Sequence, residues 1–524
     1  MRKYLNYIII FSLLLASHYT LSIELNTNSI GSSPKQISEI TPLQDLSSIS
    51  PRNWIKEKEA FGNQETFWVW DYADERYEQR NATLLAVGEK CYVYMANITI
   101  NKVGQAAAIA KCNRYKDEFD TTTYDKNVEL MGHPDGRLGD IDGDPRVTIF
   151  LTPLNPNYGG CYLRDDDPYS LLSNYREMIY VHSEIESDLF ASIVMMHEFN
   201  HLIFFNYDSD EGYFLTEGIA EYASYYAGYF TNASALEWLG WVSANLSINA
   251  RDFATDYQTS LLSWHAHRSL FPGSDYGKAY LFTFYLAEQY GNELIKKLVT
   301  TDFDGPRGID AALAETGYDI TFNEVFLNWI TACAIDNEDY TNGLYGFKNA
   351  DFTVDPKIIR QWEYPYEKTN EKHYYYGFNV KALVKPPDEF TFKITNSIYA
   401  LGISIVIRDQ NGWNVTHNIH SEKNIVKYIS GESISIAYII TSVMYQTTPT
   451  SFRNYYRTAE PYFLLNCTIE KGHLPVTTIK TTSETTESIT GFTCASVVVF
   501  LGIIIILKKS YQGSMKNKKC RLTK

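Results

Sequence analysis

The segment ASIVMMHEFNHLIFFNYDSD, residues 191–210, decides how the fold is interpreted, because it places two histidines and a glutamate inside an apolar run. The run predicts a packed helix over 187–206, and protein interiors exclude such polar groups unless each has a partner. His197 and His201 are four residues apart, so a helix turns both imidazoles to one face, where they can bind a single metal ion. Glu198 then lies beside the fourth coordination position of a zinc ion, which catalytic sites keep open for water. The segment therefore predicts a zinc site on a buried helix.

A second helix supplies the third zinc ligand. The segment FLTEGIAEYASYY, residues 214–226, carries Glu217 and Glu221 four residues apart, on one face of a helix. Their apolar neighbours indicate a packed helix and argue against two solvated glutamates. Catalytic zinc keeps three protein ligands, so we assign Glu217 to the metal. We assign Glu221 to a hydrogen bond with an imidazole N–H of a ligand histidine.

These two segments resemble a known family. HEFNH followed by FLTEGIAEY is similar to the gluzincin zinc metallopeptidases of the thermolysin-like clan. The resemblance is closest to the hyicolysin-type neutral zinc metallopeptidases, whose pattern is roughly HEFQH and then WLNEGLAEYA. It covers about residues 80–340, including AVGEKCYVY and DIDGDPRVTIFLTPL before the motif and DYGKAYLFTFYLAEQYG after it. It implies His197, His201 and Glu217 as metal ligands and Glu198 as general base.

The chain departs from the family pattern next to the third ligand. Thr216 stands where the family usually has Asn, and the spacing from His201 to Glu217 is shorter than in thermolysin. The spacing from His201 to Glu221 is close to thermolysin's. The motif context favours Glu217 as the ligand, and Glu221 remains the alternative.

The resemblance implies hydrolysis of peptide bonds. Zinc lowers the pKa of a bound water from 15.7 toward ~7, so that Glu198 can take its proton and later pass it to the leaving amine. The developing oxyanion needs one more donor. Tyr276, in DYGKAY, is the first candidate, with His265 and His267 of SWHAHR behind it. The alternative role for Tyr276 is packing on an aromatic-rich helix.

The segment DIDGDP raises the question of a second metal. Asp140, Asp142 and Asp144 are oxygen ligands of the type that Ca²⁺ binds, but the segment lacks the glycine and the terminal glutamate of an EF-hand. A turn before the strand at Val147 is the favoured interpretation, and calcium is the weaker one.

Between its two ends the chain divides into two predicted domains. Residues 53–366 combine strands with helices at 187–206, 213–229, 276–290 and 322–335, and form the zinc metallopeptidase domain. Residues 367–470 contain short alternating segments at even spacing, which is typical of an antiparallel β-sandwich. The predicted fold class is therefore α+β, with a mixed sheet and a helical zinc-binding lobe followed by a sandwich, a stalk and a single transmembrane helix.

The two ends predict where the protein resides. Residues 1–22 have the charge and apolar pattern of a signal peptide, and residues 23–52 form a flexible, Ser-rich lead-in whose role as an inhibitory pro-segment stays open. Residues 471–488 are a Thr/Ser-rich stalk. The uncharged segment 489–507 is long enough to span a bilayer, and the basic tail 508–524 places the C-terminus in the cytosol. We expect a single-pass protein of the cell surface or secretory pathway, with its catalytic domain outside.

The composition of the chain excludes one class of partner and bears on its covalent modifications. The formal net charge of −16 argues against nucleic acid, whose phosphates need a basic surface. The number of cysteines before the span is odd, so no complete disulfide framework follows, although a Cys91–Cys112 bridge is an open alternative. Glycosylation is permitted at the sequons of Asn81, Asn97, Asn232, Asn245, Asn414 and Asn466.

Three functions are open to a chain with these motifs. The leading hypothesis is a membrane-anchored, extracellular zinc endopeptidase that acts on protein or peptide substrates. The alternative is a non-catalytic adhesion or receptor ectodomain on a peptidase scaffold, but such a protein has no physical need for Glu198. A gluzincin aminopeptidase is disfavoured, because we find no G-x-M-E-N-type segment to capture a substrate amine.

Overall fold

The computed structural model describes the greater part of the chain between residues 59 and 472. The described ranges are 59–71, 76–137, 139–155, 159–163, 172–230, 246, 249–264, 273–395, 400–445, 455–456 and 462–472. The predicted signal peptide, lead-in, transmembrane segment and basic tail lie outside these residues, as does nearly all of the predicted stalk.

A mixed six-stranded sheet forms the N-terminal part of the fold. Its strands are β1 (Gln64–Asp71), β2 (Arg76–Val87), β3 (Cys91–Ala96), β4 (Val147–Thr152), β5 (Gly160–Cys161) and β6 (Met178–His182). The spatial order is β1-β2-β3-β4-β6-β5, in which β3, β4 and β6 are parallel and β5 runs antiparallel to β6 at the edge. Every residue of β3 and β4 is buried, as expected for strands that are covered on both faces.

Ten helices in the described residues surround and extend this sheet. They are α1 (Asn97–Val103), α2 (Gln105–Glu118), α3 (Tyr124–Met131), α4 (Asp188–Tyr207), α5 (Tyr213–Tyr226), α6 (Asn249–Thr255), α7 (Ser274–Tyr290), α8 (Asn292–Thr300), α9 (Gly305–Glu315) and α10 (Phe322–Ile335). A π-helical turn, Phe119–Thr123, joins α2 to α3. Most of these helices contribute to one hydrophobic core on one side of the sheet.

Helices α4 and α5 carry the predicted zinc residues. Ser187 caps α4, because its side chain accepts a hydrogen bond from the backbone N–H of Phe190 at 3.2 Å. Thirteen of the 20 residues of α4 are buried and only Asp188 is exposed, which explains why its sequence is apolar along most of its length. The turn between α4 and α5 is short, so the two helices are packed neighbours.

Gly218 sets the distance between α5 and α7. A Cβ atom at this position would lie 2.5 Å from Thr283 Oγ1 and 2.6 Å from the carbonyl oxygen of Ala279, both on α7. These separations are shorter than any ordinary contact, so a side chain at Gly218 forces the helices apart. Because Glu217 is the preceding residue, the same contact fixes the position of its backbone.

We expect Gly218→Ala to destabilise the protein by roughly 1–3 kcal/mol, since overpacking a tight contact has that cost. Helix propensity alone predicts that the substitution stabilises the protein, because Ala is more favourable than Gly in a helix interior by about 1 kcal/mol. Urea unfolding of wild type and variant measures the difference. Asn113→Ala, at an exposed position within α2, is the control for propensity without a close contact. Equal or higher stability of Gly218→Ala would contradict the close packing.

Two sheets form the C-terminal part of the fold. Their strands are β8 (Lys357–Arg360), β9 (Tyr366–Tyr374), β10 (Asn379–Val384), β11 (Glu389–Thr395), β12 (Ala400–Asp409), β13 (Gly412–His420), β14 (Asn424–Ser430), β15 (Ile436–Met444) and β17 (Tyr462–Lys471). The orders are β13-β12-β15-β10-β8 and β14-β11-β17-β9. All pairs are antiparallel except β8 with β10, and alternate residues of both sheets fill a shared core. A small separate pair joins β16 (Tyr455–Tyr456) to β7 (Ser263–Trp264).

Helix α10 joins the helical lobe to the sandwich. Every residue of α10 except Glu324 is buried. Thr331 lies within hydrogen-bond distance of Ser404 Oγ at 2.8 Å and of His417 Nε2 at 3.2 Å, on strands β12 and β13. Near the start of the helix, Asn323 accepts a hydrogen bond from the hydroxyl of Tyr376 at 2.6 Å.

The predicted fold class is wrong in one respect, because it included a single transmembrane helix at 489–507. No helix in the described part of the chain is both long and apolar enough to cross a membrane, and the segment 489–507 itself lies outside that part. The longest described helix, α4, is apolar because it is packed inside the protein, and it also carries charged residues.

The open alternative of a Cys91–Cys112 disulfide is also wrong. Both residues are buried free thiols, and burial raises the pKa of each. The Cys91 thiol instead faces Asp120, with Sγ at 3.8 Å from a carboxylate oxygen. The cysteines in the described residues are all buried and form no disulfide with one another: Cys91, Cys112, Cys161, Cys333 and Cys467.

Candidate metal centre

Two imidazoles converge on one face of α4. The Nε2 atoms of His197 and His201 are 3.0 Å apart, and their rings are nearly perpendicular, at 85°. His197 is buried and His201 is partly exposed, so the pair lies where the helix meets the surface. The spacing of four residues produces this arrangement, because side chains four apart are stacked on one helix face.

Helix α5 brings a carboxylate to the same point. Glu217 Oε2 lies 3.2 Å from His197 Nε2 and 3.4 Å from His201 Nε2. This oxygen is buried, yet within the described residues it makes no hydrogen bond of acceptable geometry. The two imidazole nitrogens and this carboxylate oxygen therefore converge on one point, and the carboxylate oxygen forms no hydrogen bond to either nitrogen.

The three donor atoms fit a zinc ion. Zn–N and Zn–O bonds of about 2.0–2.1 Å in a tetrahedron place neighbouring donors roughly 3.3 Å apart. The three observed separations are 3.0, 3.2 and 3.4 Å. Two nitrogens and one carboxylate oxygen are also the donor types of catalytic zinc, whereas Ca²⁺ and Mg²⁺ prefer oxygen alone. A bound zinc ion would supply the partner that Glu217 Oε2 lacks among the described residues.

The charge of the surroundings favours a cation at this centre. Burial would lower the pKa of His197, but its interactions with Glu217, and the charges of Glu198 and Glu221, raise it to about 9. Burial would likewise raise the pKa of Glu217, but the two histidines hold it well below its usual range. Three buried carboxylates thus stabilise positive charge here, as imidazolium or as a metal ion.

Glu198 lies on α4 beside the cluster of His197, His201 and Glu217, but it is not one of the three converging donors. Its carboxylate is buried, and its Oε2 has no hydrogen-bond partner among the described residues. Burial raises the pKa of Glu198, although the charges of His197 and His201 and a hydrogen bond from the backbone N–H of Tyr162 oppose the change. A buried carboxyl of raised pKa with an unsatisfied oxygen is suited to exchange protons.

The edge strand β5 lies directly against Glu198. A Cβ atom on Gly160 would be 2.9 Å from Glu198 Cγ, 2.6 Å from Val194 Cγ1 and 2.8 Å from the carbonyl oxygen of Tyr180. Only glycine fits at this position. The missing side chain lets the backbone of β5 approach the general-base candidate, and the Tyr162 N–H two residues later reaches the same carboxylate.

We expect Gly160→Ala to reduce any peptide hydrolysis at this centre strongly without affecting metal binding by His197, His201 and Glu217, because the added methyl group displaces Glu198 and leaves those three side chains in place. A misplacement of about 1 Å costs on the order of 10²-fold in rate. Peptide hydrolysis and zinc content of the same preparation measure both effects. Gly62→Ala is the control for a methyl group without a close contact, since no atom lies within 4 Å of a Cβ built there. Gly62 has a positive φ and Gly160 does not, so the control carries backbone strain that the tested variant lacks. Unchanged turnover in Gly160→Ala would mean that this contact does not position Glu198.

Glu221 lies behind His197, on the side away from the centre. Its Oε1 is 3.8 Å from His197 Nδ1, which is longer than a hydrogen bond. Glu217 faces the other ring nitrogen of the same histidine, Nε2. Of the two glutamates, Glu217 is therefore the one that lies with the two imidazoles as a possible third ligand. Glu221 lies next to Nδ1 of His197, where a carboxylate could orient the imidazole ring.

Within the described part of the chain, the structure does not show the predicted oxyanion donors at the metal centre. Tyr276 is buried on α7, and its ring packs edge-on against Trp264 at 4.8 Å between centroids. His265 and His267 lie outside the described residues. The role of these three side chains toward an oxyanion stays a prediction.

The predicted calcium ligands separate. Asp140 and Asp142 come together with Glu177, a residue that the sequence did not suggest. Asp144 instead accepts a hydrogen bond from Tyr92 at 2.6 Å and pairs with Arg146 at 3.3 Å. The interpretation of DIDGDP as a turn accounts for its hydrogen bonds, since two of its backbone N–H groups bond to Asp140 and Asp142.

Sequence reasoning missed Gly160 and Tyr162. The two-residue strand β5 has no detectable alternation, and the only signal was the pair of glycines in NYGGCYL, residues 157–163. Adjacent glycines indicate a turn or a close backbone approach, but they do not indicate which residue is approached.

Comparisons with known proteins do not assign the chain to a family. No protein-family model matches it, and no curated protein matches it. One solved structure returned by a structural search is the capsular polysaccharide assembling protein CapF from Staphylococcus aureus. It is 9% identical, with an alignment that covers 68% of this chain and 88% of that chain, and the TM-score is 0.11.

Proposed function

We propose that this chain is a zinc-dependent endopeptidase that hydrolyses protein or peptide substrates, with Glu198 as general base. The observation that carries the proposal is the convergence of His197 Nε2, His201 Nε2 and Glu217 Oε2 at separations suited to one zinc ion. Glu198 lies next to His197 on the same helix, with an unsatisfied carboxylate oxygen.

The residues of the chain divide the chemistry among them. Zinc held by His197, His201 and Glu217 would polarise the scissile carbonyl and lower the pKa of a water toward ~7. Glu198 would accept a proton from the attacking water and would later donate it to the leaving amine. The raised pKa of Glu198 supports this role, since a group that both accepts and releases a proton works best when its pKa approaches the working pH.

The edge strand β5 supports a peptide as substrate. Among the described strands it ends the strand order of the mixed sheet, and its Gly160 lies against Glu198. An extended peptide can add to such an edge through main-chain hydrogen bonds, which would place a peptide bond near the general base. Main-chain recognition needs no free chain end, so this arrangement favours an endopeptidase over an aminopeptidase.

Metal analysis combined with casein hydrolysis tests the proposal. The full chain, purified without chelators, is expected to hold equimolar zinc and to hydrolyse casein. Phenanthroline should remove both zinc and activity, and added zinc should restore them. A chain without zinc would contradict the proposal. Zinc without any hydrolysis would favour the non-catalytic surface protein.

A further inference from the structure

A row of side chains crosses one end of the five-stranded sheet. It has one residue from each strand, and adjacent members are register partners: Arg360 (β8), Val384 (β10), Ile436 (β15), Arg408 (β12) and Trp413 (β13). Register partners share one face of a sheet. The strand neighbours Ile359, Leu383 and Ala437 are buried in the core between the two sheets, so the row faces away from that core. We call these five residues the Arg/Trp row.

The row lies where this face of the sheet leaves the helical lobe. Val406, two residues before Arg408 on the same face, is buried in the core shared with the helices. Arg360, Val384 and Arg408 are exposed instead. Trp362, just beyond the end of β8, is 79% exposed, the highest value among the large apolar side chains of the described residues. Tryptophan and arginine are the residues that dominate binding at the centres of protein interfaces, so this surface has the composition of a docking site.

Each arginine of the row is stacked on a tryptophan. The guanidinium carbon of Arg360 lies 5.7 Å from the ring centre of Trp362, and that of Arg408 lies 5.4 Å from the ring centre of Trp413. Both distances are within the range of a cation–π contact. Such a contact restricts the orientation of the guanidinium plane, which reduces the entropy lost when the arginine binds a carboxylate through two hydrogen bonds.

The positive charge of the row is not neutralised by ion pairs. Within the described residues, the guanidiniums of Arg360 and Arg408 form none. The adjacent acids are held in turns. Glu363 accepts a hydrogen bond from the backbone N–H of Arg360 at 2.6 Å, and Asp409 accepts one from that of Asn411 at 2.8 Å. In a chain of net charge −16, two exposed and unpaired guanidiniums on one face favour an anionic partner.

The spacing of the two arginines selects the kind of anion. Arg360 and Arg408 are three strand intervals apart, which corresponds to roughly 14 Å at about 4.8 Å per interval. In an extended peptide, residues i and i+4 share a face and are also roughly 14 Å apart. The residue at i+2 then lies midway, above Val384 and Ile436, where an apolar side chain would leave water.

We propose that the Arg/Trp row binds an extended acidic segment of a partner protein, with carboxylates at i and i+4 on the two guanidiniums and an apolar residue at i+2 between them. The inference goes beyond the proposed peptidase activity and does not depend on it. All five members of the row lie within strands, so their side chains form a continuous platform that an extended chain can follow.

Anisotropy of fluorescein-labelled peptides, titrated with the full chain in the presence of phenanthroline, tests the inference. Phenanthroline chelates zinc, so that the proposed peptidase does not consume the probe. The probe is a Thr-rich peptide with two Glu four positions apart and Val midway between them. One comparison peptide has Lys in place of both Glu, and another has the two Glu only two positions apart. We expect the probe to bind roughly 10-fold more tightly than the Lys peptide and about 3-fold more tightly than the closely spaced one.

Substitution of the arginines should remove this preference. Arg360→Ala and Arg408→Ala should each weaken binding of the probe by about 10-fold, as expected for loss of a charge-assisted hydrogen bond. Arg307→Ala is the matched control, because Arg307 on α9 is also exposed and is stacked on the exposed ring of Phe303, at 3.8 Å. Its affinity for the probe should equal that of wild type.

Conservative variants keep the test decisive if an alanine variant is unfolded, as judged by circular dichroism. Arg360→Lys and Arg408→Lys keep the charge but lose the planar pair of donors, so each should bind the probe more weakly than wild type and discriminate less between the two Glu spacings. Equal binding of the Glu and Lys peptides, or unchanged affinity in the folded arginine variants, would overturn the inference. Binding to phosphatidylserine vesicles without binding to the probe would also overturn it, because the partner would then be a membrane surface.

Discussion

Glu198→Gln is expected to lower peptide hydrolysis by about 10³-fold, within the range measured for loss of a general base, while zinc stays bound. Gln has nearly the same shape as Glu but cannot accept a proton from water at neutral pH. Glu198 is not one of the three converging donors, so the proposed metal ligands on α4 and α5 remain intact. Loss of activity with an equimolar metal content is therefore the expected result.

The measurement compares kcat on one fluorescent peptide with zinc content in the same preparation. Glu186→Gln is the matched control, because Glu186 is an exposed residue just before α4 and lies outside the metal centre. Full activity in Glu198→Gln would show that another group takes the proton. Loss of zinc together with activity would instead indicate that Glu198 contributes to metal binding.

The pair Glu217→Gln and Glu221→Gln is expected to separate the metal ligand from the supporting carboxylate. Glu217 Oε2 lies within 3.4 Å of both imidazole Nε2 atoms, so its replacement by a neutral amide removes one ligand of three. We expect Glu217→Gln to lose zinc on dialysis and to be inactive. Glu221 faces only Nδ1 of His197, at 3.8 Å, and its replacement should weaken zinc affinity by about 10–100-fold.

Competition with a chelator of known zinc affinity measures both variants on one scale. The two substitutions are chemically identical and lie four residues apart on the same helix, so each is the control of the other. If Glu221→Gln lost zinc and Glu217→Gln retained it, the ligand would be Glu221, the alternative that its thermolysin-like spacing suggests.

The helical part of the centre follows from the sequence because its geometry is local. The sequence predicts helices over 187–206 and 213–229. In the structure these helices run over Asp188–Tyr207 and Tyr213–Tyr226, so their bounds agree to within three residues. Within a helix, a spacing of four residues fixes which side chains share a face, so the two histidines needed no tertiary information. The apolar neighbours of Glu217 were sufficient to indicate that its helix packs against another.

The rest of the centre depends on contacts between distant residues. Gly160 and Tyr162 reach Glu198 from a strand too short to carry a pattern. Glu177 joins Asp140 and Asp142 because parallel strands are adjacent in the sheet, whereas Asp144 turns to Arg146. Tyr276 shows the same limit, since an aromatic-rich helix does not reveal which of its rings packs on Trp264.

Helix α10 makes the sandwich an integral part of the helical lobe. The same hydrophobic core includes Phe326 and Trp329 of this helix together with Val406 and Ile440 of the five-stranded sheet. A chain cut at 366 would turn that face of α10 toward water and lose the partners of Thr331. The two regions thus resemble the halves of one folding unit, and a protease that separated them would leave neither half with a complete interior.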